Sequence, residues 1–355
     1  MLEIRQRIGS ARIRCVQLGL LALLAVVTAS CAKQQSGAAL PALKVDSARM
    51  TVVGLSSGAY MATQAHVAYS DRFMGAGLVA GGPYGCAGGK LEQALGPCMK
   101  AMPAPPDVKA LVESANARAS RGEIASLSNL AHSHVYALHG KKDATVAEAV
   151  SRASATFYEM LRDSAPELAA FGVTWDGDRD FAHLLPLAAS GDACDKSETP
   201  FLGKCGFDAA GAIFAALYGA PQHAATEASG ELRQFDQNTY RQKGVDTYLA
   251  DSGYVYVPRA CVEGKPCGVM VAFHGCQQNA ESVGEAFVRD GGFNRWADVY
   301  DVAVLYPQTH ASLAPLNPKA CWDWWGYSGA DYDTRNSAQL RWLMRALDAL
   351  GGKAG

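Results

Sequence analysis

Short apolar runs along the chain alternate with longer stretches whose apolar positions recur at helical spacing. The runs are "MTVVGL" (Met50 to Leu55), "GAGLVAG" (Gly75 to Gly81), "HVYALHG" (His134 to Gly140), "GYVYVP" (Gly253 to Pro258), "GVMVAFHG" (Gly268 to Gly275) and "VAVLYP" (Val302 to Pro307). Runs this brief and this apolar predict buried strands. Helical patterns are expected over Gly58 to Tyr69, Val146 to Leu161, Asp208 to Tyr218 and Thr334 to Leu350. Strands alternating with helices in this way predict βαβ units and a mainly parallel sheet flanked by helices. No internal repeat breaks the pattern.

The first residues follow a different pattern. Arg5, Arg7, Arg12 and Arg14 precede the apolar stretch "VQLGLLALLAVV" and then the small residues "TASC". This reads as a secretory signal over residues 1–30, too short and too early for a membrane-spanning helix. It also resembles a bacterial lipoprotein signal, with Cys31 as a candidate lipid anchor, although Thr28 stands where leucine is usual. Residues 31–44 are expected to be a flexible tether, and residues 45–355 a single catalytic domain. Removing the leader takes four arginines and one glutamate, leaving 28 basic against 33 acidic residues and a net charge of −5. No cluster of like charge appears, which argues against a nucleic-acid partner.

Eight cysteines remain: Cys86, Cys98, Cys194, Cys205, Cys261, Cys267, Cys276 and Cys321. An even set in an exported chain predicts disulfides. Eight cysteines allow 105 pairings. The local pairs Cys86–Cys98, Cys194–Cys205 and Cys261–Cys267 are favoured, which leaves Cys276–Cys321. No CxxC pair is present, and no metal site is expected.

The stretch "TVVGLSSGAYMA" carries the chemistry. An apolar strand runs into Gly54, Ser56 and Gly58, and a helical pattern follows. Strand, G-x-S-x-G, helix is the nucleophile elbow, which lifts a serine hydroxyl above a sheet edge beside a helix N-terminus. The plainer alternative is a capping serine in a glycine-rich turn. Such a serine needs a base, and the base needs a carboxylate, in the chain order Ser, acid, His. Asp143 follows the strand ending at Gly140 and suits the acid; the less favoured alternative is that it caps the next helix. His183 and His223 both follow it. His183 lies in a loop that Cys194–Cys205 would staple, whereas His223 lies in a polar linker. His66 and His274 read as structural. The strand ending in His274-Gly275 is where this fold places a second oxyanion donor, here the N–H of Cys276 beside that of Ser57. That strand ordinarily precedes the elbow, so the order implies a circularly permuted α/β-hydrolase fold.

Taken together, "GLSSGAYMA", "GGPYGC", "HGKKDATV", "CGFDAAG", "VAFHGCQQ" and "CWDWWGY" resemble the secreted esterases of the poly(3-hydroxybutyrate) depolymerase family, over about Val45 to Leu350. The resemblance implies a serine esterase with Ser56 as nucleophile, Asp143 as acid and His183 as base. Ser57 and Cys276 would supply the oxyanion N–H groups, and no cofactor is implied. The substrate would be a polyester or oligoester. With no linker or polymer-binding module expected, amorphous polymer or soluble oligomers suit it better than crystalline material. Trp322, Trp324 and Trp325, with Tyr60 and Tyr84, are candidates for the substrate surface, although alternate positions of an extended stretch cannot all face one groove. A monomer is expected, exported to the periplasm, the outer membrane or the medium. The alternatives are a feruloyl or acetyl esterase acting on plant polysaccharide and a non-catalytic surface binding protein of the same fold.

Overall fold

A computed structural model describes residues 37–352. The leader over 1–30, the candidate anchor Cys31 and the tether as far as residue 36 lie outside the described residues. Eight strands build one sheet: β1 (Val45–Leu55), β2 (Gly75–Val79), β3 (His134–Gly140), β4 (Gly172–Arg179), β5 (Glu231–Asp236), β6 (Ser252–Val257), β7 (Cys267–Phe273) and β8 (Val302–Tyr306). Their order across the sheet is β4-β3-β2-β1-β7-β8-β6-β5. The pairs from β4 through β8 are parallel, while β6 runs antiparallel to both β8 and β5.

The apolar runs are strands because both of their faces are covered. Successive side chains of a strand point to opposite faces. Along β1, Val52 enters one core and Val53 the other; along β7, Val271 and Met270 do the same. The first core is closed by the helices Ser57–Ala68, Val108–Ser120, Glu148–Asp163 and Ala338–Leu350. The second is closed by Ala209–Tyr218 and Phe293–Tyr300. Burying such runs on both faces is what a parallel sheet requires.

The sheet is permuted as the motif order implies. The elbow strand β1 is central, and β7, from more than 200 residues later, pairs with it from Met50↔Val269 to Gly54↔Phe273. The two ends of the folded region meet: the N–H of Leu43 donates to the carbonyl of Leu350 at 2.7 Å. Reading from Leu350 directly into Leu43 restores the usual strand sequence.

One expectation is corrected. Within the supposed tether, residues 38–44 are bound to the fold. Leu40 is buried, and its N–H donates to the hydroxyl of Tyr240 at 2.8 Å. Ala38 and Lys44 accept from the N–H groups of Asp236 and Cys267, each at 2.9 Å. The segment covers the core under β5 and cannot swing freely.

The juxtaposed ends yield a test. A chain with residue 351 joined to Gly37 by a flexible linker, so that the packed residues 38–44 are retained, and opened within the mostly exposed stretch 220–229, should fold with the same far-UV circular dichroism. Its melting temperature should stay within about 10 °C of the parent.

Candidate active site

Ser56 stands at the end of β1 with φ 57° and ψ −122°, a left-handed conformation that non-glycine residues rarely hold. The turn closes because its neighbours lack side chains. A Cβ on Gly54 would lie 2.2 Å from the carbonyl carbon of Gly58. A Cβ on Gly58 would lie 2.2 Å from the carbonyl oxygen of Phe273 and 2.5 Å from that of His274. The helix that begins at Ser57 therefore presses directly onto the end of β7. The next segment lies in ordinary contact: a Cβ on Gly275 would be 3.6 Å from that of Ser56. Among the described residues, neither the N–H of Ser57 nor that of Cys276 has an acceptor, so both remain available at this turn.

Asp143 lies in the loop past β3 and does two things at once. Its Oδ1 accepts from the N–H groups of Thr145 at 2.7 Å and Val146 at 2.9 Å. Its Oδ2 accepts from His183 Nδ1 at 2.7 Å. Turn-closing and orienting roles, alternatives in the sequence, are divided between two oxygens of one carboxylate. Burial would push this carboxyl up, but the hydrogen bond and charge of His183, with the Val146 and Thr145 N–H groups, hold it below the ordinary aspartate value. Because a carboxylate only accepts, Nδ1 of His183 carries a proton, so in the neutral imidazole the lone pair is on Nε2.

His183 precedes a small sheet of Leu185–Leu187, Asp192–Ala193 and Leu202–Lys204, beside the Cys194–Cys205 disulfide. Ser56 and His183 line one cleft of about 590 Å³. No hydrogen bond joins them in this state, as is common before substrate binds. His274 is spoken for elsewhere. Its Nδ1 donates to the Gly275 carbonyl at 2.7 Å, and its Nε2 accepts from the Thr309 N–H at 3.3 Å. Burial pulls it down to about 4, so it is neutral and structural. His66, buried between Tyr158 and Ser133, is likewise pulled down to about 3, and His223 is exposed.

The aromatic candidates separate. Trp324, Trp325 and Tyr60 line the cleft, with Tyr60 stacked on Trp324 at 4.4 Å and its hydroxyl donating to the Cys98 carbonyl. Trp322 does not. It is a core residue, packed edge-on against Phe273 at 4.9 Å, 1% exposed. Tyr84 is also withdrawn, its hydroxyl donating to the Asp333 carbonyl at 2.8 Å. The sequence did not point to the rest of the lining, which includes Leu91, Leu95, Met99, Phe201, Leu316 and Lys319. Leu91 and Leu95 are spaced one helical turn apart between Cys86 and Cys98, the signal that could have exposed them. The four disulfides are Cys86–Cys98, Cys194–Cys205, Cys261–Cys267 and Cys276–Cys321.

A family model described as esterase PHB depolymerase matches residues 251–350. The chain is 39% identical over 321 residues to poly(3-hydroxybutyrate) depolymerase of Delftia acidovorans, covering 89% of this chain and 62% of that one. It is 35% identical to polyhydroxybutyrate depolymerase of Talaromyces funiculosus, covering 87% of this chain and 91% of that one. The chain belongs to the PHB depolymerase family. Its fold agrees with the crystal structure of a family member, PHB depolymerase from Penicillium funiculosum, at a TM-score of 0.78 and 31% identity, over 88% of this chain and 99% of that one. A structure of PHB depolymerase with a serine-to-alanine substitution, complexed with an R3HB trimer, matches with the same TM-score at 30% identity. The PHB depolymerase fold is thus present here over nearly all of the described residues.

The lowered Asp143 value has a consequence for stability. A depressed carboxylate stabilises the fold above its unfolded value, and that contribution disappears as pH falls through the folded value. The melting-temperature gap between wild type and Asp143→Asn should be full at neutral pH and close below the ordinary aspartate range. Thermal melts across pH measure it.

Proposed function

We propose that this protein hydrolyses the ester bonds of poly(3-hydroxybutyrate) or its oligomers through an acyl-enzyme. The observation that carries the reading is the His183 Nδ1–Asp143 Oδ2 hydrogen bond in the wall of the cleft that Ser56 also lines.

In this reading, His183 Nε2 takes the proton from Ser56 Oγ as the oxygen attacks the ester carbonyl. Asp143 fixes the tautomer and stabilises the imidazolium. The N–H groups of Ser57 and Cys276 receive the developing oxyanion, where losing one donor typically costs ~10²–10³ in turnover. The ester C–O bond breaks, and the departing alkoxide takes its proton from His183. Water, deprotonated by the same imidazole, then attacks the acyl carbon and releases a carboxylic acid and the free serine.

The lining supports an aliphatic polyester over a sugar. Leu91, Leu95, Met99, Val146, Phe201 and Leu316 give methyl-bearing chains an apolar bed. The R3HB trimer bound by the related depolymerase is the same chemistry. The four disulfides call for an oxidising compartment, which accords with export to the periplasm, the outer membrane or the medium. We take lipidation at Cys31 and a monomeric state as part of the same reading.

Ser56→Ala should abolish release of 3-hydroxybutyrate products from amorphous polymer and from the trimer while leaving the circular dichroism unchanged. Asp143→Asn should lower kcat by about 10⁴. Chromatography of the products after timed incubation decides both, and activity retained by Ser56→Ala would remove the assignment.

A further inference from the structure

We propose that Lys319 binds the terminal carboxylate of short 3-hydroxybutyrate oligomers, so that the scissile ester is selected by its distance from that end. The inference rests on the polyester reading of the Ser56 cleft and deepens it.

Among the described residues, no carboxylate lines the cleft, and Lys319 is its one permanently charged side chain. Lys141 and Lys265 pair with Asp180 and Asp301; Lys319 has no such partner among the described residues, and it is exposed. A cation without a counter-ion, at the rim of an apolar cleft, offers a singly charged organic anion a modest attraction, since solvent screens an exposed ammonium.

The backbone keeps this cation in register with the oxyanion turn. The Lys319 carbonyl accepts from the Gln277 N–H at 2.7 Å, and Gln277 itself is held at φ 57° immediately after Cys276. Two residues beyond Lys319, Cys321 is bonded to Cys276. The loop is closed on itself by Asn317, whose amide both donates to the Cys321 carbonyl and accepts from the Cys321 N–H, each at 2.9 Å. Lys319 thus lies on a short stapled loop anchored to the residue that meets the substrate carbonyl.

The polarity of the substrate decides what such a cation would recognise. A 3-hydroxybutyrate oligomer has a hydroxyl at one end and an ionised carboxylate at the other. When Ser56 Oγ bonds to an acyl carbon, the part retained on the enzyme runs toward the hydroxyl end. The alcohol that departs, with a proton from His183, carries the carboxylate. Lys319 therefore acts on the leaving side of the cleft. The chain as a whole carries a formal charge of −2, so its overall field does not draw anions in, and a local cation must do so.

The test compares the R-3-hydroxybutyrate trimer as the free acid with the same trimer ended by a primary amide. The wild type should show a higher kcat/KM for the free acid, and rising salt should erode that preference. Lys319→Met should reduce the free-acid to amide ratio about threefold to fivefold, chiefly through KM, and Lys319→Arg should restore most of it. Cleavage of both trimers by the wild type without discrimination, or an unchanged ratio in Lys319→Met, would overturn the assignment while leaving the polyester reading intact. Cleavage of neither trimer by the wild type would overturn both.

Discussion

Everything at the catalytic edge depends on one contact between backbones, that of Gly58 with the carbonyls of Phe273 and His274. It sets the first turn of the Ser57–Ala68 helix against the end of the strand Cys267–Phe273. That single approach fixes the left-handed turn at Ser56, aims the Ser57 N–H, and brings the Gly275–Cys276 peptide alongside. A methyl group at either Gly54 or Gly58 would have to displace backbone atoms, which have nowhere to move in a sheet buried on both faces.

Around that contact, the other parts are attached by short, independent ties. Asp143 is held by two N–H groups of its own loop before it holds His183. The aromatic wall is tied by Cys276–Cys321 to the Gly275–Cys276 turn and by Asp323, whose buried carboxylate accepts from Gly326, Tyr327 and Ser328. Burial pushes that carboxyl up despite these donors. The segment from Leu91 to Met99 is pinned by Cys86–Cys98, by the hydroxyl of Tyr60 on the Cys98 carbonyl, and by the Ala147 N–H on the Met99 carbonyl at 2.8 Å. In the proposed reading, chemistry sits at the sheet edge and selectivity on stapled loops beside it.

The central strands and the elbow were legible in the sequence because they are apolar on both faces and end in glycine. The strands Gly172–Arg179 and Glu231–Asp236 escaped notice for the opposite reason: they lie at the two edges of the sheet, where charged residues keep the strand from pairing further. The helix Val108–Ser120 was missed although Asp107 caps it, since its small and polar residues give a weak apolar stripe. The cleft lining at Leu91 to Met99 comes from two helices of five and four residues, which show no more of a period than the single Leu91–Leu95 spacing. Trp322 and Trp324 could not be separated by parity, because "CWDWWGY" is not extended; it bends around Asp323, and only one of the pair emerges into the cleft.

The pairing of Val52 with Val271 also governs how such a chain is made. A ribosome delivers the elbow strand early and its neighbour very late, so the nascent molecule travels with one flank of its central strand unsatisfied. Contacts between such distant residues are slow to form, and an uncovered apolar flank invites self-association. A protein wired in this way gains from remaining unfolded, and escorted, until its last third has arrived.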